Sequence, residues 1–261
     1  MLHYFQGFHD IAQVFLLVLG EEASYAAVAR VSLLRIRDYM LSSLGPATKH
    51  LRLIPAILQC SEPDLASHLS RTPPYFALSA VLTLYAHDIQ QYTDIARLYD
   101  FILAHQPVMV LYLFAALIIS RKEELLEISV EDDDMLLFAL SKLPQPLDLQ
   151  ALIDRSLDVF RSCPPEQLPG GAWRSVSAAS VLKTSEHDLR MQDLEGARNM
   201  FARQSQQLKR EELAAGVMKQ LNKNRRPITM AGTTLLVGLL SYYLQKNGYH
   251  RVLWAIFWRT T

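Results

Sequence analysis

Along the first two-thirds of the chain, apolar residues recur at helical spacing and do not alternate as strand residues do. Ile11, Val14, Phe15, Val18 and Leu19 stand at i, i+3, i+4, i+7 and i+8, one face of a 3.6-residue period. Gly20 follows where a glycine ends a helix, and Glu21-Glu22 opens the next, because acids favour the positive end of the helix dipole. That second helix is expected to reach about Met40 and to bury Ala26, Ala29, Leu33, Leu34 and Ile36. After the Gly45-Pro46 break, the pattern predicts a helix from His50 to about Cys60, kinked at Pro55, and another starting at Pro63. Phe76–His87 is nearly all apolar and too long for a strand; it predicts a central helix, with His87 as a core histidine. Asp94–Ala104 and Asp148–Phe160 are amphipathic, and Val108–Ile119 is apolar all round. Residues 1–182 are therefore expected to form one all-α domain, with Pro164-Pro165 marking the end of its main helices.

Charge changes the picture of the second half. The chain has 261 residues with 26 basic and 26 acidic side chains, but they are unevenly placed. Residues 1–182 carry 13 basic and 20 acidic groups, residues 183–226 carry 10 and 6, and residues 227–261 carry 3 and none. The overall balance gives no general pull on nucleic acid, and no nucleic-acid partner is expected. Residues 183–226 form a basic linker, expected to be a partly helical, mobile tether with a loose stripe at Leu194, Ala197, Phe201 and Leu208. Residues 227–245 are nineteen positions without a charge, close to the roughly 20 that a helix needs to cross a bilayer core. They are expected to be a transmembrane anchor, with residues 246–261 as a short tail. Lys223, Arg225 and Arg226 lie on its near side, which keeps the body cytosolic, and Tyr242-Tyr243 suits the interface.

Few residues suggest chemistry of their own. No phosphate-binding G-x-x-x-x-G-K-[ST], H-E-x-x-H, C-x-x-C or G-x-S-x-G occurs, and the eight histidines show no i, i+4 pairing. Glu131–Asp134 reads as an acidic helix start rather than a metal site. The two cysteines, Cys60 and Cys163, are expected to be inert small hydrophobes in a reducing compartment. Two classes remain: a binding or regulatory module, or a protein that lends residues to another's active site.

Tyr4-Phe5-Gln6-Gly7-Phe8-His9-Asp10 favours the second class. A glutamine at a loop–helix junction can hold a water against a phosphate, because its carboxamide both donates and accepts. Taken alone, a structural capping role serves as well. Tyr4-Phe5-Gln6-Gly7, however, resembles the Y-x-Q-G glutamine-finger motif of TBC-domain Rab GTPase-activating proteins. Phe76–Ser79 through Leu84–His87, and Ala96–Phe101 with its R-L-[WY]-D pattern, follow in that family's order. Gln6–Asp10, Arg97–Ala104 and Phe160–Leu168 are most similar to an ER-anchored subgroup that acts on the Rab of ER-to-Golgi traffic. The likeness covers about residues 2–168.

The resemblance implies the C-terminal part of a TBC helical domain followed by a membrane anchor. The protein would not itself be an enzyme but an activator acting in trans on a GTP-bound Rab. Gln6 would orient the attacking water, and Tyr4, Phe5, Gly7, Phe8 and Asp10 would support the finger loop or touch the Rab. Arg97 and Asp100 would be a structural pair on one helix. The chain would need no cofactor or metal of its own, since GTP and Mg2+ belong to the Rab. The body would face the cytosol from the endoplasmic reticulum or an early secretory membrane.

One part of the family pattern is missing. The family's I-x-x-D-x-x-R arginine finger precedes the glutamine finger, and only five residues precede Gln6 here. Asp94-x-x-Arg97 and Asp158-x-x-Arg161 follow Gln6 and lack the isoleucine, so neither qualifies. An arginine finger contributes roughly 10³–10⁵ in rate. The expectation is a C-terminal portion of a longer protein, nearly inactive alone, with apolar body surface left exposed. The alternative is a non-catalytic, membrane-anchored helical adaptor that binds a Rab or another partner.

Overall fold

The computed structural model describes residues 2–144, 146–184 and 193–223, with positions 238, 239, 242, 243 and 246 beyond them. Among the described residues every regular element is helical. Residues 1–205 form one compact unit and residues 206–261 a second.

Helix α1 spans Phe8–Leu34 and is interrupted at Gly20, whose φ of 74° and ψ of 178° leave the helical region. Ile11, Val14 and Phe15 are buried as the spacing requires, but Val18 and Leu19 are 51% and 45% exposed. Beyond the break the helix ends at Leu34 rather than near Met40, and a 3₁₀ turn follows over Arg37–Met40. Leu33, Leu34 and Ile36 are buried, whereas Ala26 is exposed and Ala29 only half-buried. Periodicity selects a helix face; it does not say how far along that face a neighbour extends.

α2 (Gly45–Leu51), α3 (Leu53–Ser61) and α4 (Pro63–His68) follow. The helix expected from His50 is divided at Arg52, so Pro55 falls in the first turn of α3, where its missing N–H removes no intrahelical bond; the expected kink is a break between two helices. The apolar run from Phe76 is not one helix. It forms a 3₁₀ turn over Pro74–Ala77 and then α5 (Leu78–Leu82). Leu84 and Tyr85 next take left-handed φ angles of 50° and 65°. Such backbone costs about 1–2 kcal/mol per non-glycine residue. It is held because both residues are buried, and the Tyr85 hydroxyl donates to the Val110 carbonyl at 2.9 Å.

α6 covers Tyr92–Ala104, and Arg35 satisfies the carbonyls at its end: Nη1 donates to His105 O at 2.7 Å and Nη2 to Leu103 O at 3.0 Å. α7 (Met109–Ser120) is the centre of the core, with Met109 through Ile119 all buried. After α8 (Lys122–Glu127) and α9 (Asp133–Ser141), α10 (Leu149–Ser162) packs along α7. Asp132 and Asp148 cap α9 and α10 by accepting from the N–H groups of Met135 and Ala151. The acidic run is thus a helix start, and no group of metal-ligating side chains forms among the described residues.

The body continues past Pro164-Pro165. Leu168, Val176, Val181 and Leu182 are buried around α11 (Ala172–Ser175) and α12 (Val181–Thr184). Within the basic linker, residues 194–223 form one continuous helix, α13 (Leu194–Lys223), longer than the loose stripe predicts. Asp193 caps it through the N–H groups of Glu195 and Gly196; of the expected stripe, Ala197 and Leu208 are buried and Leu194 and Phe201 half-buried.

Two long-range links were not expected. Cys60 and Cys163, 103 residues apart, form a disulfide with a Cα–Cα distance of 6.0 Å. They are therefore not inert hydrophobes. Folding brings the ends of α3 and α10 together, which a cysteine count cannot reveal. The second link is a buried charge cluster. Arg37 donates to Leu33 O, Ala179 O, the Thr184 hydroxyl and Gln204 Oε1. Asp38 accepts from the Val181 N–H and from Gln204 Nε2, both at 2.8 Å.

The expected transmembrane segment, residues 227–245, lies outside the described residues apart from positions 238, 239, 242 and 243. Among the described residues, α1 is long and apolar enough to cross a membrane. Gly20 interrupts it, and Ile11, Val14 and Phe15 on its first half pack into the core.

Candidate functional site

The segment before α1 is shaped by alternating burial. Phe5 is 8% exposed and meets Phe8 and Tyr39 edge-on at ring distances of 5.8 and 6.3 Å. Gly7 is buried, and Gln6 between them is exposed to solvent. Gly7 caps α1 with a φ of 97°, a region that glycine enters without a Cβ penalty. The buried Phe5 and the left-handed Gly7 together turn the Gln6 carboxamide outward.

The surroundings of the loop are polar and ordered. Tyr4, 66% exposed, places its hydroxyl 3.0 Å from His9 Nδ1. Asp10 receives two imidazoles: His9 Nε2 at 3.3 Å from Oδ1 and His87 Nδ1 at 3.0 Å from Oδ2. His87 is therefore not a core histidine; its side chain is 64% exposed. The left-handed turn at Leu84-Tyr85 carries it out of the apolar run and across to α1. The signal for this was the polar pair His87-Asp88 closing that run. Burial pushes the Asp88 carboxyl above its ordinary value; the Asp10 charge adds to this, while His87 and the Ser79 hydroxyl oppose it.

Beside the loop lies an open groove of about 900 Å³, lined by His9, Gln13, Leu16, Tyr25 and Val28 with Glu21 and Glu22 among others. Leu16, Leu17, Val18, Leu19 and Tyr25 are all at least 45% exposed along this part of α1. Exposed large apolar side chains clustered on one helix are the kind of surface that takes a partner.

Arg97 and Asp100 lie on the exposed face of α6, and the expected pair does not form among the described residues. Arg97 Nη2 donates instead to Gln150 Oε1 on α10, at 3.1 Å. Arg161 is engaged by Asp158 at 2.9 Å, so both Asp-x-x-Arg arginines are tied to local partners.

A second cluster has the composition of a hydrolytic triad but not its geometry. Ser180 Oγ lies 3.0 Å and Asp38 Oδ1 3.4 Å from the same nitrogen, His50 Nε2. A relay needs the acid on the opposite nitrogen from the nucleophile. All three residues are at most 1% exposed, so the cluster is structural. Burial acts to raise the Asp38 carboxyl. The His50 hydrogen bond and charge, the Val181 N–H and the Arg37 charge outweigh that and hold it below its ordinary value.

Residues 1–126, which include the loop, match the Rab-GTPase-TBC domain family. They belong to that family. TBC1 domain family member 20 of Bos taurus is 30% identical over 253 residues, covering 94% of this chain and 62% of that protein. The Mus musculus protein of the same name is 31% identical over 255 residues. GTPase-activating protein gyp10 of Schizosaccharomyces pombe is 31% identical over 188 residues, covering 70% of this chain and 50% of that protein. The chain thus spans about 62% of the length of its mammalian relatives. The TBC match ends within α8, although the helical unit continues through α12 and the start of α13.

Proposed function

We infer that this chain serves as a GTPase-activating module for a Rab of the early secretory pathway, with Gln6 placed into the Rab active site to orient the attacking water. The observation that carries the reading is the exposed Gln6 between a buried Phe5 and a left-handed Gly7, inside a TBC match. A water-positioning residue must reach outward from a rigid base, because catalysis by orientation is lost when the group wanders. GTP and Mg2+ come with the Rab, and bond making and breaking take place there. The chain does not contain the I-x-x-D-x-x-R of the resembled family, so its own rate enhancement is expected to be small.

Single-turnover GTP hydrolysis across a panel of Rabs tests this. A weak acceleration of one or a few Rabs, removed by Gln6→Ala with Rab binding kept, is the expected result. Equal rates with the wild-type chain and Gln6→Ala would overturn the role of Gln6. Binding without acceleration by either form is the outcome of the second reading, an adaptor. That reading draws on the position of Arg97 and Arg161, which follow Gln6 in the chain and contact Gln150 and Asp158.

Residues 227–245 are proposed as the membrane anchor that keeps the body on the cytosolic side of the endoplasmic reticulum or an early secretory membrane. Their support is nineteen uncharged positions preceded by Lys223, Arg225 and Arg226. Deleting residues 227–261 should shift the protein from the floating to the soluble fraction in vesicle flotation; continued flotation would remove the anchor.

A further inference from the structure

We propose that His87 is a positioning residue that holds the Gln6 loop in place through Asp10. The role in hydrolysis rests on the function proposed above; the clamp itself does not.

The geometry forms a brace around Gln6. Asp10 Oδ2 accepts from His87 Nδ1 at 3.0 Å, and His9 Nε2 lies 3.3 Å from Oδ1 of the same carboxylate. His9 Nδ1 also lies 3.0 Å from the Tyr4 hydroxyl. Tyr4 lies before Gln6 in the chain; His9 and Asp10 lie after it. Three members of this chain of contacts are local and could move with the loop. His87 is the exception: 77 residues separate it from Asp10. It is the directed polar link from the loop to the body, beside the apolar seat of Phe5 against Tyr39 and the contact of Gly7 with Thr83.

The turn that carries His87 is itself well anchored. Leu84 and Tyr85 are 3% and 1% exposed despite their left-handed backbone. The Tyr85 hydroxyl is bound to Val110 O on the central helix α7. The Thr83 hydroxyl donates to Ser79 O at 2.9 Å, and the Ala86 N–H donates to Thr83 O at 3.0 Å. Thr83 also lies hard against Gly7, where an added Cβ would meet its Cγ2 at 2.5 Å. The turn over residues 83–88 thus limits the loop by contact at Gly7 and by a directed hydrogen bond at Asp10. Contact alone keeps the loop from moving inward; the bond from His87 resists movement outward.

The test compares the full chain with His87→Ala and His87→Asn. Asparagine places its Nδ2 donor as many bonds from Cα as the imidazole Nδ1, so it can replace the bond to Asp10. In hydrogen exchange read by mass spectrometry, His87→Ala is expected to speed exchange of the Gly7–Asp10 amides about tenfold. His87→Asn should stay within about twofold of wild type, and α7 should be unchanged in both. In GTP hydrolysis by a Rab as stimulated by this chain, His87→Ala should lower the maximal stimulated rate about tenfold with the half-saturating concentration of GTP-bound Rab unchanged, and His87→Asn should restore it. Unchanged exchange in His87→Ala, or an His87→Asn loop as loose as that of His87→Ala, would overturn the clamp. If the exchange pattern holds while the wild-type chain accelerates no Rab, the clamp stands and the functional reading falls.

Discussion

Gly7 and Thr83 meet so closely that no side chain fits between them: a Cβ at Gly7 would lie 2.5 Å from the Thr83 Cγ2. Gly7 also has a φ of 97°. Gly7→Ala is therefore expected to destabilise the domain by about 1–3 kcal/mol, the range for strained backbone at such sites. Adding Thr83→Ser removes the clashing methyl and should recover the steric part of the loss but not the backbone part. Thermal unfolding of the single and double variants separates the two.

The Arg37–Asp38 cluster should be the most sensitive polar feature of the core. Both residues are at most 2% exposed and not bonded to each other, but each is the nearby opposite charge of the other, and leaving a buried charge uncompensated typically costs about 3–5 kcal/mol. Asp38→Ala is expected to fall within about that range in urea unfolding. Its pH dependence has a definite sign. The folded-state carboxyl sits below its ordinary value, so its contribution is fully present above about pH 4. It is lost as pH falls through the lower folded value. Asp38→Asn should flatten that acid limb of the stability curve.

The Cys60–Cys163 bond closes 103 residues of chain. Restricting an unfolded loop of about that size stabilises a protein by roughly 4–5 kcal/mol on the chain-entropy account. Reductant, or Cys60→Ser, should lower the unfolding free energy by about that amount, read from urea midpoints. Thiol titration before denaturation should find neither cysteine free.

The apolar stretch Leu16–Leu19 with Tyr25 should make the purified chain adhesive. Wild type is expected to bind a solvatochromic apolar dye and to self-associate in light scattering. Leu17→Ser with Leu19→Ser should reduce both without loss of helical circular dichroism, since both positions are exposed.

Much of the fold was legible in the sequence because it is local. The break at Gly20, the start at Pro63, the caps at Asp132 and Asp148 and the all-apolar α7 each depend on residues within a turn or two. The candidate site was legible in part for the same reason: Tyr4-Phe5-Gln6-Gly7 is contiguous. His87 was misplaced because an apolar run predicts burial by average composition, whereas two left-handed residues inside that run redirect the chain. The Arg97–Asp100 pairing failed because i, i+3 spacing permits a contact that a better-placed Gln150 on α10 takes instead.

The sequence by itself determined the helical class, the helix ends that carry their own breakers and acidic starts, and the contiguous Tyr4-Phe5-Gln6-Gly7 motif, but not its exposure. The tertiary structure decided which long-range partners meet: Cys60 with Cys163, Asp38 with Val181 and Gln204, and Asp10 with His87. The physical reason is one of range. Helix propensity, capping and periodicity act over a few residues and can be read in order along the chain. Bonds between residues 77 to 166 positions apart depend on the packing of whole helices, which fixes their distances only once the core has closed.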